Sequence, residues 1–158
     1  MEARAKIRAL KVGELLIRDG PPHLDLQNQS VFCSHKETMH VRLTKDFTFE
    51  AAQTLPRVPA DHKCGRMHGH SFKVEISVEG EKDPMTGWFY DHSRISRAMD
   101  PLMEQLDHSY LNDIPGLENP TIENMCEWFW ERLLPYLPGL AEIVIHETPT
   151  ARCSYRGK

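Results

Sequence analysis

From Phe72 to Glu79, apolar and polar side chains alternate without a break: Phe72, Val74, Ile76 and Val78 against Lys73, Glu75, Ser77 and Glu79. A run with that period is a strand with one face covered and the other wet. Upstream, Val41, Leu43, Phe47, Phe49 and Ala51 share odd parity and predict a second half-buried strand. The Pro- and charge-rich stretch from Leu55 to Met67 reads as the loop between them. A turn over Asp83–Gly87 predicts a hairpin into Trp88, Phe89 and Tyr90. Two helices follow. Ile95, Ala98, Met99, Leu102, Met103 and Leu106 repeat at helical spacing, with Pro101 expected to kink the helix or restart it. The second opens at Thr121 as N-cap and presents Ile122, Met125, Cys126, Phe129, Trp130 and Leu133. A last strand runs from Ile143 to Glu147. Three strands, two helices and a strand predict an α+β domain, an antiparallel sheet with two helices on one face.

Composition narrows the function classes. At 158 residues the chain suits one domain. Its formal net charge of −4, with no stripe of Lys and Arg interleaved with aromatics, gives no reason to expect nucleic acid. No apolar run approaches the ~20 residues of a membrane span. Leu15–Ile17 is too short for a secretory apolar region, so the expected compartment is the cytoplasm. Cys33, Cys64, Cys126 and Cys153 are scattered with no CxxC pair, which argues against a disulfide framework. Cys126, on an apolar helical face, reads as a small buried hydrophobe. Residues 1–38 stand apart, broken by Gly20-Pro21-Pro22 and polar over Gln27–Ser30. They are expected to be a poorly ordered extension to a domain over 39–158, and Met39 could be the true start.

The chemistry gathers around Cys64-Gly65-Arg66-Met67-His68-Gly69-His70. His68 and His70 continue the parity of Phe72–Val78, and Gln53 continues that of Phe49 and Ala51. All three should therefore face the covered side of the sheet. Two imidazoles at i and i+2 can chelate one ion, and zinc is the natural one for a catalytic site with an open position. The competing reading is a pair of core histidines bonded to backbone. A buried Gln53 left unpaired would cost on the order of 1–3 kcal/mol. Its amide oxygen can bind a cation, more weakly than an imidazole. Lys63 and Arg66 would favour the thiolate of Cys64, the form that does chemistry, although an isolated thiol can be inert. Asp107-His108 pairs a carboxylate with an imidazole, which suits proton transfer or simply ends a helix. Glu147 is an acid at an inward position and needs a partner. A ring edge carrying N–H donors would serve, as would an arginine. His92 belongs at the start of the helix after Asp91.

The ordered set Lys45–Ala52, His62–Arg66, His68–Phe72, Asp107-His108, Tyr110–Thr121, Glu147-Thr148 and Tyr155–Gly157 resembles the 6-pyruvoyltetrahydropterin synthase family. Within it, the likeness is greatest to the bacterial 6-carboxytetrahydropterin synthases of queuosine biosynthesis. The resemblance spans about residues 43–157. It implies a tunnelling fold whose subunits join their sheets, commonly as a homohexamer. It implies Zn2+ on His68, His70 and a first-strand residue, whose position Gln53 occupies here in place of histidine. It also implies Cys64 as proton acceptor, Asp107 and His108 as a relay, and Glu147 with Thr148 binding the pterin ring. The implied reaction converts 7,8-dihydroneopterin triphosphate to 6-carboxytetrahydropterin with release of acetaldehyde and triphosphate. The alternatives are a family member making another pterin product and a non-catalytic pterin-binding or zinc-handling relative.

Overall fold

A computed structural model describes residues 38–157 of the chain. The extension expected over residues 1–38 falls, all but its last residue, outside them. Strand β1 (His40–Gln53) pairs antiparallel with β2 (His68–Glu81), residue for residue from His40↔Glu81 to Gln53↔His68. Helix α1 (His92–Leu106), the two-residue strand β3 (Ser109–Tyr110), helix α2 (Ile122–Leu133), β4 (Leu140–Thr148) and β5 (Ala151–Tyr155) follow. The strands form one sheet in the order β3-β1-β2-β4-β5. The β1–β3 pair is parallel and the rest are antiparallel, so the sheet is mixed.

One face of this sheet is the core. Phe49 and Ala51, then Phe72, Val74, Ile76 and Val78, then Ile143 and Ile145 pack with buried residues of both helices in a single cluster. The alternation read from the sequence is therefore the alternation between helix side and outward side. Each fully buried Val, Leu, Ile or Phe contributes about 1.5–3 kcal/mol, so slipping β1 or β2 by one residue would forfeit the whole set. Asp91 caps α1 by accepting from the Ser93 N–H at 2.9 Å, and Thr121 caps α2 by accepting from the Asn124 N–H at 3.3 Å. Gly139 (φ +83°) leads into β4 where a Cβ would lie 2.6 Å from the Glu79 carbonyl oxygen, so only glycine fits.

One local expectation needs correction, one alternative is decided, and two strands are added. Trp88–Tyr90 form no strand. Both edges of β2 are taken, by β1 and β4, so nothing remains for a hairpin partner to pair with. The turn closes on itself instead, with the Asp83 N–H donating to the Trp88 carbonyl at 2.7 Å. Phe89 lies across Gly80, where a Cβ would sit 2.1 Å from its ring. Pro101 lies inside α1 without restarting it. Finally, β3 and β5 lie outside the sequence expectation: one is two residues long, and the other, Ala-Arg-Cys-Ser-Tyr, alternates apolar and polar over only five residues as a largely exposed edge strand.

Candidate functional site

The ends of β1, β2 and β4 meet beyond the helices on the core side of the sheet. Gln53 lies opposite His68, and Ala51 lies opposite His70. Glu147 sits one residue past the Lys73–His146 pair of β2 and β4. Beneath them the rings of His70 and Phe72 lie edge to face, 5.5 Å apart, and Phe72 stacks on Phe49 at 5.0 Å. The polar residues therefore rest on an apolar floor.

Gln53 is fully buried. Its Nε2 donates to Glu147 Oε1 at 3.0 Å. His68 Nδ1 is 2.7 Å from the Arg66 carbonyl, which can only accept, so Nδ1 carries the proton and Nε2 keeps a bare lone pair. Glu147 Oε1 faces His70 Nε2 at 3.4 Å. Three atoms here are buried with no hydrogen-bond partner: Gln53 Oε1, His68 Nε2 and His70 Nε2. Folded proteins leave few such atoms, and each costs on the order of 1–3 kcal/mol. Their convergence with a carboxylate is what a cation site requires. His68, His70 and Glu147 present ligand atoms all within 4.8 Å of one another. They are the group of this kind among the described His, Cys, Asp and Glu residues. The donor chemistry fits zinc, which takes imidazole nitrogen and carboxylate oxygen.

Cys64 opens onto the same place. It sits in a short 3-10 turn over Lys63–Gly65, where its N–H donates to His62 Nδ1 at 3.2 Å. Its carbonyl accepts from the Leu55 N–H at 2.8 Å, which ties the turn to the chain leaving β1. A pocket of about 540 Å3 is lined by Cys64, Arg66, His68, His70, Glu147 and Thr148, among others. That size suits a small ligand. Asn112 clamps the end of β1, accepting from the Thr54 N–H at 2.9 Å and donating to the Thr54 carbonyl at 2.8 Å. Tyr110 adds a hydroxyl contact to Thr54 at 2.7 Å. The backbone beside Gln53 is thus held from both sides.

Asp107 and His108 lie elsewhere. Asp107 ends α1, and its Oδ1 accepts from the Glu50 N–H at 3.0 Å while the Glu50 carbonyl accepts from the His108 N–H at 2.6 Å. His108 takes the left-handed conformation at φ +57°, uncommon for a residue with a side chain. Its Nδ1 is 3.0 Å from Asp107 Oδ2. The Glu50 N–H, helped by His108, holds the Asp107 carboxyl below the usual carboxylate range. His108 lines a second hollow of about 420 Å3 with Glu50, Ala51, Gly69, His70 and Ser71, so His70 borders both hollows. Within one chain, then, Cys64, Glu147, Thr148 and both zinc-candidate histidines line one pocket, with Gln53 bonded to Glu147 behind it, and Asp107 and His108 are not among its lining residues.

A family model described as 6-pyruvoyl tetrahydropterin synthase matches residues 42–158. The chain belongs to that family. It is 39% identical over 117 residues to the 6-carboxy-5,6,7,8-tetrahydropterin synthase of Synechocystis, covering 70% of this chain and 89% of that protein. It is 40% identical over 101 residues to the dihydroneopterin monophosphate aldolase of Pyrococcus furiosus, covering 64% and 82%. Among solved structures it resembles the Caenorhabditis elegans 6-pyruvoyl tetrahydropterin synthase, with a TM-score of 0.70 at 25% identity over 77% of this chain and 98% of that one. The tunnelling fold implied by the motifs is the fold of the molecule.

For this member of the synthase family, two features of the site had no sequence signal. The Gln53–Glu147 contact joins residues 94 apart, across the two strands that flank β2. The Asn112 clamp on Thr54 was visible only as part of a motif, since an asparagine beside a short turn has many bland uses. His92 takes its expected place as the first residue of α1, with its side chain largely exposed.

Proposed function

We infer that this protein is a zinc-dependent lyase of reduced pterins, converting 7,8-dihydroneopterin triphosphate to 6-carboxytetrahydropterin. The conversion would be a step of queuosine or 7-deazapurine biosynthesis in the cytoplasm. The observation that carries this reading is the pair of orphaned nitrogens on His68 and His70, residues that line the pocket holding Cys64 and Glu147. The Synechocystis relative's name supplies the product.

Zinc held by His68, His70 and a third ligand from the Gln53–Glu147 pair would polarise the side-chain hydroxyls and make the neighbouring C–H more acidic. Cys64 Sγ takes the proton from that carbon. Glu147 and Thr148, at the end of β4, bind the ring edge and fix which carbon faces the thiol. Triphosphate leaves, water adds to C1′ and supplies the second carboxyl oxygen as the C1′–C2′ bond breaks, and acetaldehyde departs from the side chain. Asp107 and His108 relay the proton. Because neither lines the pocket of Cys64 in the single chain, a second subunit would bring them to it. A homohexamer with joined sheets would do so, and light scattering would measure it.

Zinc-loaded protein incubated with 7,8-dihydroneopterin triphosphate, with products read by mass spectrometry, tests the reading. The carboxy-pterin with acetaldehyde supports it, and unchanged substrate overturns it. The Pyrococcus relative favours a second reading, a family member cleaving dihydroneopterin monophosphate. Side-chain cleavage of the monophosphate in the same assay would assign that activity instead.

A further inference from the structure

We propose that Glu147, not Gln53, is the third protein ligand of the metal, and that Gln53 is the residue that positions it. This rests on the metal site of the preceding reading and names its ligand set.

Four observations converge. First, two neutral imidazoles leave the ion's charge unopposed. A carboxylate offsets it and a neutral amide does not, and two histidines with a glutamate is a ligand set that catalytic zinc takes. Second, the spacing between Glu147 and His70 is right. At bond lengths of 2.0–2.2 Å, adjacent ligand atoms around a tetrahedral ion lie about 3.3 Å apart. Glu147 Oε1 and His70 Nε2 are 3.4 Å apart, and no hydrogen bond satisfies that nitrogen.

Third, the direction of the Gln53 amide is fixed by chemistry. A carboxylate only accepts, so the group facing Glu147 must be the NH2. Gln53 Nε2 donates to Oε1, the same oxygen that faces His70. That bond uses one lone pair of Oε1 and leaves another for the ion. A donor behind a ligating oxygen is how outer residues orient ligands.

Fourth, Gln53 is anchored and can fix Glu147. Gln53 is fully buried, and its backbone neighbour Thr54 is clamped by Asn112. The Glu147 side chain is one-quarter exposed at a strand end, where the Gln53 bond holds its Oε1 toward His70. Where a histidine would occupy position 53, the ligand would come from β1 directly. With glutamine there, β1 supplies the hydrogen bond and β4 supplies the ligand. Oε2 of Glu147 remains available to the pterin ring.

The test measures metal affinity of the full-length chain by competition with a chromophoric chelator, with zinc content by mass spectrometry and cobalt(II) absorption as a report on the ligands. Glu147→Gln should weaken zinc by 100-fold or more and shift the cobalt bands. Gln53→Ala should weaken it by about 10–100-fold, the range for outer-shell partners, while leaving the bands of the saturated protein in place. The decisive variant is the double one. Adding Gln53→His to Glu147→Gln should restore stoichiometric zinc, because the imidazole returns a ligand from β1. Circular dichroism checks folding, and Glu147→Asp, which shortens the reach of the same group, replaces Glu147→Gln should the latter not fold. Wild-type affinity in the Glu147 variant, or loss of metal from Gln53→Ala as complete as from His70→Ala, overturns the proposal. Pterin turnover is not read in this experiment. Turnover without Glu147 ligation would leave the lyase reading standing, and ligation without turnover would do the reverse.

Discussion

His70 and Glu147 face each other at 3.4 Å on the helix side of the sheet, while His108 and Asp107 face each other at 3.0 Å beside the second hollow. Both pairs join an imidazole to a carboxylate, yet their surroundings differ. The first is largely buried, with side-chain exposures of 21% and 25%, and its imidazole Nε2 has no hydrogen bond. The second is exposed, at 79% and 44%, and is tied to the Glu50 backbone by both residues. Buried polar atoms without partners are expensive and persist where a ligand completes them. An exposed pair already bonded is complete without one. The same two residue types thus leave an unsatisfied, largely buried imidazole on one side and a bonded, exposed pair on the other.

The largest effect should come from removing an imidazole. His70→Ala is expected to abolish stoichiometric zinc, and His108→Ala to leave it intact, as read by elemental analysis of the purified proteins. Zinc loss from the His108 variant would break the comparison. Next, Cys64→Ala should lower kcat by about 10²–10⁴-fold, the usual yield of a positioned proton acceptor. Its zinc content should equal that of wild type, which separates proton transfer from metal holding.

A subtler distinction lies in acid. The Asp107 carboxyl titrates below its ordinary range because the Glu50 N–H, then His108, favour the charged form. Its folded value is depressed, so the stabilisation is present above the unfolded value of about 3.9 and is lost as pH falls through the folded one. Asp107→Asn should therefore lower the urea midpoint at neutral pH, and the difference from wild type should vanish near pH ~2. A difference that persists in acid would mean the side chain acts through its shape alone. The smallest effect is expected at a third pair, His92 and Asp91, which are 3.9 Å apart at the start of α1. His92→Ala should leave zinc content unchanged, and a loss would show that an imidazole far from the cluster takes part.

Much of this was legible because strands encode faces. The parity of Phe72–Val78 placed His68 and His70 on the core side, and the parity of Phe49 and Ala51 placed Gln53 with them. Glu147 was readable as inward from Ile143 and Ile145. Parity says which side a residue faces, not which neighbour it meets. The bond from Gln53 to Glu147 depends on the sheet order, in which β1 and β4 flank β2. The same gap produced the hairpin error at Trp88–Tyr90, since a turn signal does not reveal that both edges of β2 are occupied. Strand β3 exists only through its parallel pairing with Ala51 and Ala52, a contact no local pattern could announce.

Gln53↔His68 is also the last rung of the β1–β2 ladder, the point where fourteen-residue strands give way to the loop that carries Cys64. Strand ends normally open and close faster than strand middles. An ion held by His68 and His70 on β2 and Glu147 on β4 would staple those two strands beside that rung and, through the Gln53–Glu147 hydrogen bond, steady the end of β1 and the thiol's loop. Chelation should then speed amide hydrogen exchange at Ala51–Gln53 and His68–His70, with little change near Ile76. The metal would set how often the site loosens as well as what it can react with.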